Sequence, residues 1–152
     1  MRLALYQPDI AGNVGTIIRL CTCFGVPLDI IMPCGFPASD KQLRRAAMDY
    51  ADAAEIVRHV SAEAFFAEQT RGGRRVVLLT SHGETSVHRT AFTPTDTLLL
   101  GYESAGVPDD VHDRAAHRIR IPMVPGFRSL NIAVAAGIAL GEALRQTGLF
   151  PE

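Results

Sequence analysis

Four stretches of the chain combine polar residues and glycines at spacings that could do chemistry. The first is Gly12-Asn13-Val14-Gly15-Thr16-Ile17-Ile18-Arg19. Asn13 reads as a helix N-cap, Gly15 permits close approach, and Arg19 falls one turn farther along. A helix N-terminus attracts anions, although an ordinary capped helix with a surface arginine has the same pattern. The second runs from Leu100 to Pro108 and sets the carboxylate of Glu103 between Gly101 and Gly106. Those glycines allow a tight turn against a ligand; a plain strand-to-helix turn with a solvated glutamate would read alike. The third is Ile119-Arg120-Ile121-Pro122-Met123, where Pro122 stops a strand and leaves backbone groups to pair elsewhere. The fourth, Gly126-Phe127-Arg128-Ser129-Leu130-Asn131, brings a hydroxyl and an amide to the start of an apolar helix. Ser129 reads as its cap, and Asn131, as an amide on a buried helix, needs partners.

Other chemistries lack their residues. There is no Walker loop, no H-E-x-x-H, no G-x-S-x-G and no G-x-G-x-x-G. Cys21 and Cys23 form no nucleophile pattern with His59, His82 or His88, and the five histidines are scattered, so no metal site is expected. The three cysteines are odd in number and read as buried, reduced thiols of a cytoplasmic protein.

The elements that must position these stretches follow from periodicity. Short apolar runs at Leu3 to Tyr6, Leu28 to Met32, Glu55 to Val60, Arg75 to Thr80, Thr97 to Tyr102 and His117 to Met123 read as strands. Helical patterns lie between them: after Asn13 to a stop at Gly25, from a cap at Asp40 through Ala47, from Ser61 to Gly72-Gly73, over Pro108 to Ala115, and over Leu130 to Thr147. Strands alternating with helices predict a mostly parallel sheet flanked by helices, in one domain spanning residues 1–152. Ligands in such sheets bind at the carboxyl ends of strands, which points to the loops after Tyr6, Thr80, Tyr102 and Met123. The last helix is apolar nearly all round, which fits a subunit interface as well as a core. Its apolar stretch falls short of the ~20 residues a membrane helix needs, so no membrane contact is expected.

Net charge is −1, and of 15 basic residues only Lys41 is lysine. Arginine carries a planar fork suited to phosphate, though arginine bias also follows a GC-rich genome. Basic residues cluster at Lys41-Arg44-Arg45, Arg71-Arg74-Arg75 and Arg118-Arg120. Such clusters are ordinarily solvated faces.

Taken together, the four stretches resemble the SpoU class of the SPOUT superfamily of RNA methyltransferases. The likeness rests on Asn13, Gly15 and Arg19; on Gly101, Glu103, Gly106 and Pro108; and on Ser129, Leu130 and Asn131. A narrower likeness, to the TrmL (YibK-like) subfamily, runs through nearly the whole chain. It includes Leu5-Tyr6-Gln7-Pro8, Ile17-Ile18-Arg19-Leu20-Cys21, Gly35-Phe36, Lys41-Gln42-Leu43-Arg44-Arg45, Asp49-Tyr50, Arg58-His59 and Ile119-Arg120-Ile121-Pro122-Met123. The chain departs from the subfamily's usual pattern at Ala105, Ala133 and Gly141.

The resemblance implies a sheet whose C-terminal segment is threaded into a trefoil knot, and a homodimer that joins sites across its interface. It implies S-adenosylmethionine as methyl donor, bound by Leu79, Gly101, Glu103, Gly106, Ile121 and Ser129, with no metal. It implies Arg19, Ser129 and Asn131 as catalytic residues, and contacts to tRNA from Asn13, Lys41, Arg44 and Arg45. The reaction implied is methylation of the ribose 2′-hydroxyl of the wobble nucleotide, position 34, in tRNA(Leu) isoacceptors. The alternatives are a SpoU-class enzyme for another tRNA or rRNA ribose, and a non-catalytic protein that binds S-adenosylmethionine or RNA.

Overall fold

In the computed structural model, residues 1–37, 40–103 and 105–152 are described, without the side chains of Asp40, Gln42, Leu43 and Arg44. The strands are β1 (Arg2–Tyr6), β2 (Leu28–Ile31), β3 (Ile56–His59), β4 (Val76–Leu79), β5 (Thr85–Ser86), β6 (Thr97–Leu100) and β7 (His117–Arg120). The helices are α1 (Ala11–Phe24), α2 (Asp40–Ala47), α3 (Ala62–Arg71), α4 (Asp109–Arg114) and α5 (Ile132–Thr147). The strands form one sheet in the order β3-β2-β1-β6-β4-β7-β5, and every pairing is parallel.

The central strands β1, β4 and β6 carry buried apolar residues on both faces, as suits a parallel sheet covered on both sides, and side chains alternate across it. Leu3, Leu5, Val77, Leu98 and Leu100 face α1 and α5, packing with Ile17, Ile18, Leu140 and Leu144. Ala4, Tyr6, Leu78 and Leu99 face the other way, onto Phe65 and Phe66 of α3 and Val111 of α4. In register, Leu5 stands between Ile30 and Leu100.

The connections matter for the site. From β6 the chain passes over β4 through α4 to β7, then returns across the sheet to α5, which packs against α1 and β6. This return brings residues 121–131 alongside the loops that follow β4 and β6.

Several boundaries differ from the sequence reading. α1 begins at Ala11 with Ile10 as N-cap, so Asn13 lies within the first turn and does not cap it. α5 begins at Ile132, and its cap is Asn131, not Ser129; the Asn131 amide oxygen accepts from the N–H groups of Ala133 and Val134. β6 stops at Leu100 because Tyr102 turns back to bridge Gly106. The two-residue β5 is too short to show a pattern in sequence. Ser61 does cap α3, and Gly25 ends α1 in the left-handed region with φ 64°.

Gly15 allows close approach, but to α2: a Cβ there would stand 2.3 Å from the carbonyl oxygen of Ala46. Burial pushes the Cys21 thiol up to about 12, as for an inert core thiol, whereas Cys23 is exposed. α5 buries Ala136, Ala139, Leu140, Ala143 and Leu144 and leaves Val134 and Ile138 52% and 42% exposed. No described helix is long and apolar enough to cross a membrane.

Candidate active site

A cleft of about 820 Å³ opens at the carboxyl ends of β4, β6 and β7. Its walls come from residues 78–82, 100–103, 105–107, 109, 112, 121, 123, 128–130, 132 and 135. Leu79, Gly101, Glu103, Gly106, Ile121 and Ser129 all line it, as do Thr80, His82, His112, Met123 and Arg128. The volume lies within the usual range for small-molecule sites.

Three of the sequence stretches meet at its edge. The Asn13 amide nitrogen donates to Oε2 of Glu103. The Asn131 amide nitrogen donates to the Asn13 Oδ1 at 3.0 Å and to the Glu103 Oε1 at 3.3 Å. Because the Asn131 Oδ1 is occupied by the first N–H groups of α5, its nitrogen must point outward to these acceptors. The positive end of the α5 dipole therefore sits beside the Glu103 carboxylate. Asn131 needed partners, as its residue type suggested, but meets the need as an exposed cap and not from within a buried helix.

Backbone contacts between Tyr102 and Gly106 close the chain around Glu103. Tyr102 and Gly106 exchange backbone hydrogen bonds of 2.7 and 3.1 Å, and a Cβ on Gly101 would lie 2.4 Å from the carbonyl carbon of Gly106. Beyond Thr80, Ser81 and His82, which line the cleft, Arg120 donates to the carbonyls of Gly83 (2.7 Å) and Glu84 (2.6 Å) and holds the loop after β4. A Cβ on Gly83 would meet the Ile119 carbonyl carbon at 2.2 Å.

Arg19 is not brought to this cleft. It is exposed on α1, with its guanidinium 4.8 Å from the centre of the Tyr50 ring. Lys41 and Arg45 are exposed on α2, and the side chain of Arg44 lies outside the described residues. Sequence reasoning gave no site role to Gln7, Tyr102, Gly83 or Arg120. Gln7, Tyr102 and Arg120 lie in stretches the sequence singled out, and Gly83 is a glycine in a strand-end loop. No group of three or more His, Cys, Asp or Glu residues that could hold a metal occurs among the described residues.

The SpoU rRNA Methylase family pattern matches residues 1–141. A tRNA (cytidine(34)-2'-O)-methyltransferase of Beijerinckia indica is 56% identical over 96% of this chain and 91% of its own length. A solved structure described as giving insights into the 2-OH methylation of C/U34 on tRNA superposes with a TM-score of 0.89 at 41% identity, covering 95% of this chain and 94% of its own. The SpoU methyltransferase AviRb of Streptomyces viridochromogenes, solved with AdoMet, gives 0.84 at 28% identity over 96% of this chain and 60% of its own. The chain belongs to the SpoU rRNA methylase family and is a methyltransferase of that family.

Proposed function

We propose that the protein methylates the ribose 2′-hydroxyl of the wobble nucleotide of tRNA, with tRNA(Leu) isoacceptors as substrates and S-adenosylmethionine as donor, in the cytoplasm. The observation that carries this reading is the junction of Asn13, Glu103 and Asn131 at the mouth of the cleft. It joins three of the sequence stretches, in a chain 56% identical to a relative named tRNA (cytidine(34)-2'-O)-methyltransferase.

The cleft fits the donor. Leu79, Leu100 and Ile121 offer apolar contact, and the loops after β4, β6 and β7 offer backbone groups. When bound, the donor supplies a methyl group on a sulfonium, which is electrophilic without a covalent nucleophile. The protein's own task is to align the 2′-oxygen and favour loss of its proton, and alignment alone can be worth up to about 7–11 kcal/mol. Ser129 lines the cleft, and in this reading it shares in that task with Asn131.

Arg19 holds the target phosphate or ribose in this reading and stabilises developing alkoxide charge. A guanidinium keeps its proton below about pH 12, so it is not the base. Since Arg19 does not line the cleft of its own chain, it serves the cleft of a partner subunit in a homodimer. The exposed Val134 and Ile138 on α5 supply an apolar face for that dimer. In this reading the C-terminal segment, which returns past β4 to α5, is threaded into a trefoil knot. Lys41, Arg44 and Arg45 contact the tRNA backbone.

The test is methylation of purified leucine tRNAs in vitro with labelled donor, followed by mapping of the product. A 2′-O-methyl group at position 34 supports the reading. Methyl transfer only to another ribose supports the broader SpoU-class alternative, and donor binding without turnover on any tRNA supports a non-catalytic protein. For Arg19, near-normal rates in Arg19→Lys across a pH profile would overturn a bidentate guanidinium role.

A further inference from the structure

We propose that Gln7 and Tyr102 are positioning residues, a latch between the end of β1 and the turn 101–106 that sets the glycine wall of the cleft and the carboxylate of Glu103. This rests on the reading of the cleft as the donor site.

Gln7 has φ 43°, in the left-handed region; among the described non-glycine residues only Met48 shares a positive φ. That region is disfavoured for a residue with a Cβ, and such conformations persist where the surroundings over-determine them. Here the surroundings do. The Gln7 N–H donates to the Ile31 carbonyl at 2.9 Å, extending the β1–β2 ladder. Its side-chain nitrogen donates to the Met32 carbonyl at 3.4 Å, which leaves Oε1 turned toward β6. Oε1 accepts the hydroxyl of Tyr102.

Tyr102 transmits this hold. Its ring stands edge-on to Tyr6 with centroids 5.6 Å apart, and its backbone closes the turn through both hydrogen bonds to Gly106. Gly101 is packed against that same glycine. A shift of the tyrosine ring therefore moves Gly101 and Gly106, which line the cleft, and the adjoining Glu103. Tyr102 is tied to the end of β1 while its neighbour Glu103 is tied to α1 and α5, so the turn is held from two directions.

The test compares wild type, Tyr102→Phe, Gln7→Gly and the double variant. Tyr102→Phe removes one oxygen and keeps the ring contact. Gln7→Gly removes the acceptor but relieves the left-handed strain, so its Tm is expected to equal or exceed that of wild type. Calorimetry with S-adenosylmethionine is expected to give a Kd about five-fold weaker in each single variant, the size of one net hydrogen bond. The double variant should be no weaker than Gln7→Gly, because the Tyr102–Gln7 bond is already lost in each single variant and Gln7→Gly alone gives up the bond to Met32. Amide exchange at Gly106 in the donor-free protein should quicken in each.

Unchanged Kd and unchanged Gly106 exchange in folded variants would overturn the latch. So would a roughly 25-fold loss in the double variant, or a loss of affinity that only follows a fall in Tm. If Gln7→Gly does not fold, Tyr102→Phe decides by the same readouts. Wild type that fails to bind the donor removes the cleft reading and the latch together; wild type that binds, with unaffected variants, removes the latch alone.

Discussion

Glu103 is the residue on which the site turns, because each of its oxygens accepts from a different amide: Oε2 from Asn13 and Oε1 from Asn131. A glutamine of the same size offers one oxygen and sets an NH2 group against another donor. Glu103→Gln is therefore expected to lower kcat/KM about ten-fold or more while costing about 1–2 kcal/mol of stability. Steady-state kinetics beside a urea titration would check both, and retention of full activity would show that the junction is dispensable.

At the scale of elements, the junction is also a helix cap. Asn131 starts α5 through its Oδ1 and reaches Glu103 through its nitrogen. Asn131→Ala should cost about 1 kcal/mol as a lost cap and also slow methyl transfer, measured by denaturant unfolding and initial rates. A purely capping role would leave the rate unchanged. The loop after β4, whose residues 80–82 line the cleft, depends on close packing. Gly83 lies against the backbone of Ile119, and Arg120 holds the carbonyls of Gly83 and Glu84. Gly83→Ala has only backbone to displace, so a loss of about 1–3 kcal/mol is expected, with weaker donor binding. A variant as stable as wild type would mean that the loop can lift at no cost.

In the whole molecule, a buried ion pair away from the cleft contributes to stability. Asp96 is fully buried near the amino end of β6 and receives both Arg75 Nε and Nη2, at 2.8 and 2.7 Å. Burial opposes ionisation of Asp96, but Arg75 and the N–H and hydroxyl of Thr93 outweigh it and hold the carboxyl below the usual carboxylate range. A carboxyl lowered in the folded state stabilises the protein above its unfolded value, near 3.9, and that contribution fades as pH falls through the lowered native value. Asp96→Asn should cost about 3 kcal/mol at pH 7, and its gap from wild type should narrow below about pH 4. Equal acid limbs in thermal melts from pH 7 to pH 2 would contradict this. For assembly, Ile138→Asp puts a charge on the exposed apolar face of α5. Wild type is expected to sediment as a dimer and this variant as a monomer without methyl transfer; a monomeric, active wild type would remove the dimer from the proposal.

Alternation of apolar runs and helical stripes is a near-neighbour property, so the parallel α/β class, most element positions, the Ser61 cap and the Gly25 stop were legible in the sequence. So were the glycines, the carboxylate and the amides of the site, because their residue types are unusual beside apolar elements. Partnerships across the fold were not legible. Asn13 and Glu103 are 90 residues apart, and Asn13 and Asn131 are 118 apart; only the strand order and the return of the chain past β4 bring them together. Read locally, Asn13 and Ser129 were each a plausible cap, but tertiary contacts took Asn13 for Glu103 and gave the α5 cap to Asn131. The left-handed Gln7 was invisible because nothing in a glutamine announces a positive φ; its conformation is imposed by Ile31, Met32 and Tyr102. The sequence by itself determined which chemical groups the protein carries and the layered sheet that holds them. The tertiary structure alone decided which of those groups touch, because hydrogen-bond geometry depends on distances that chain order does not encode.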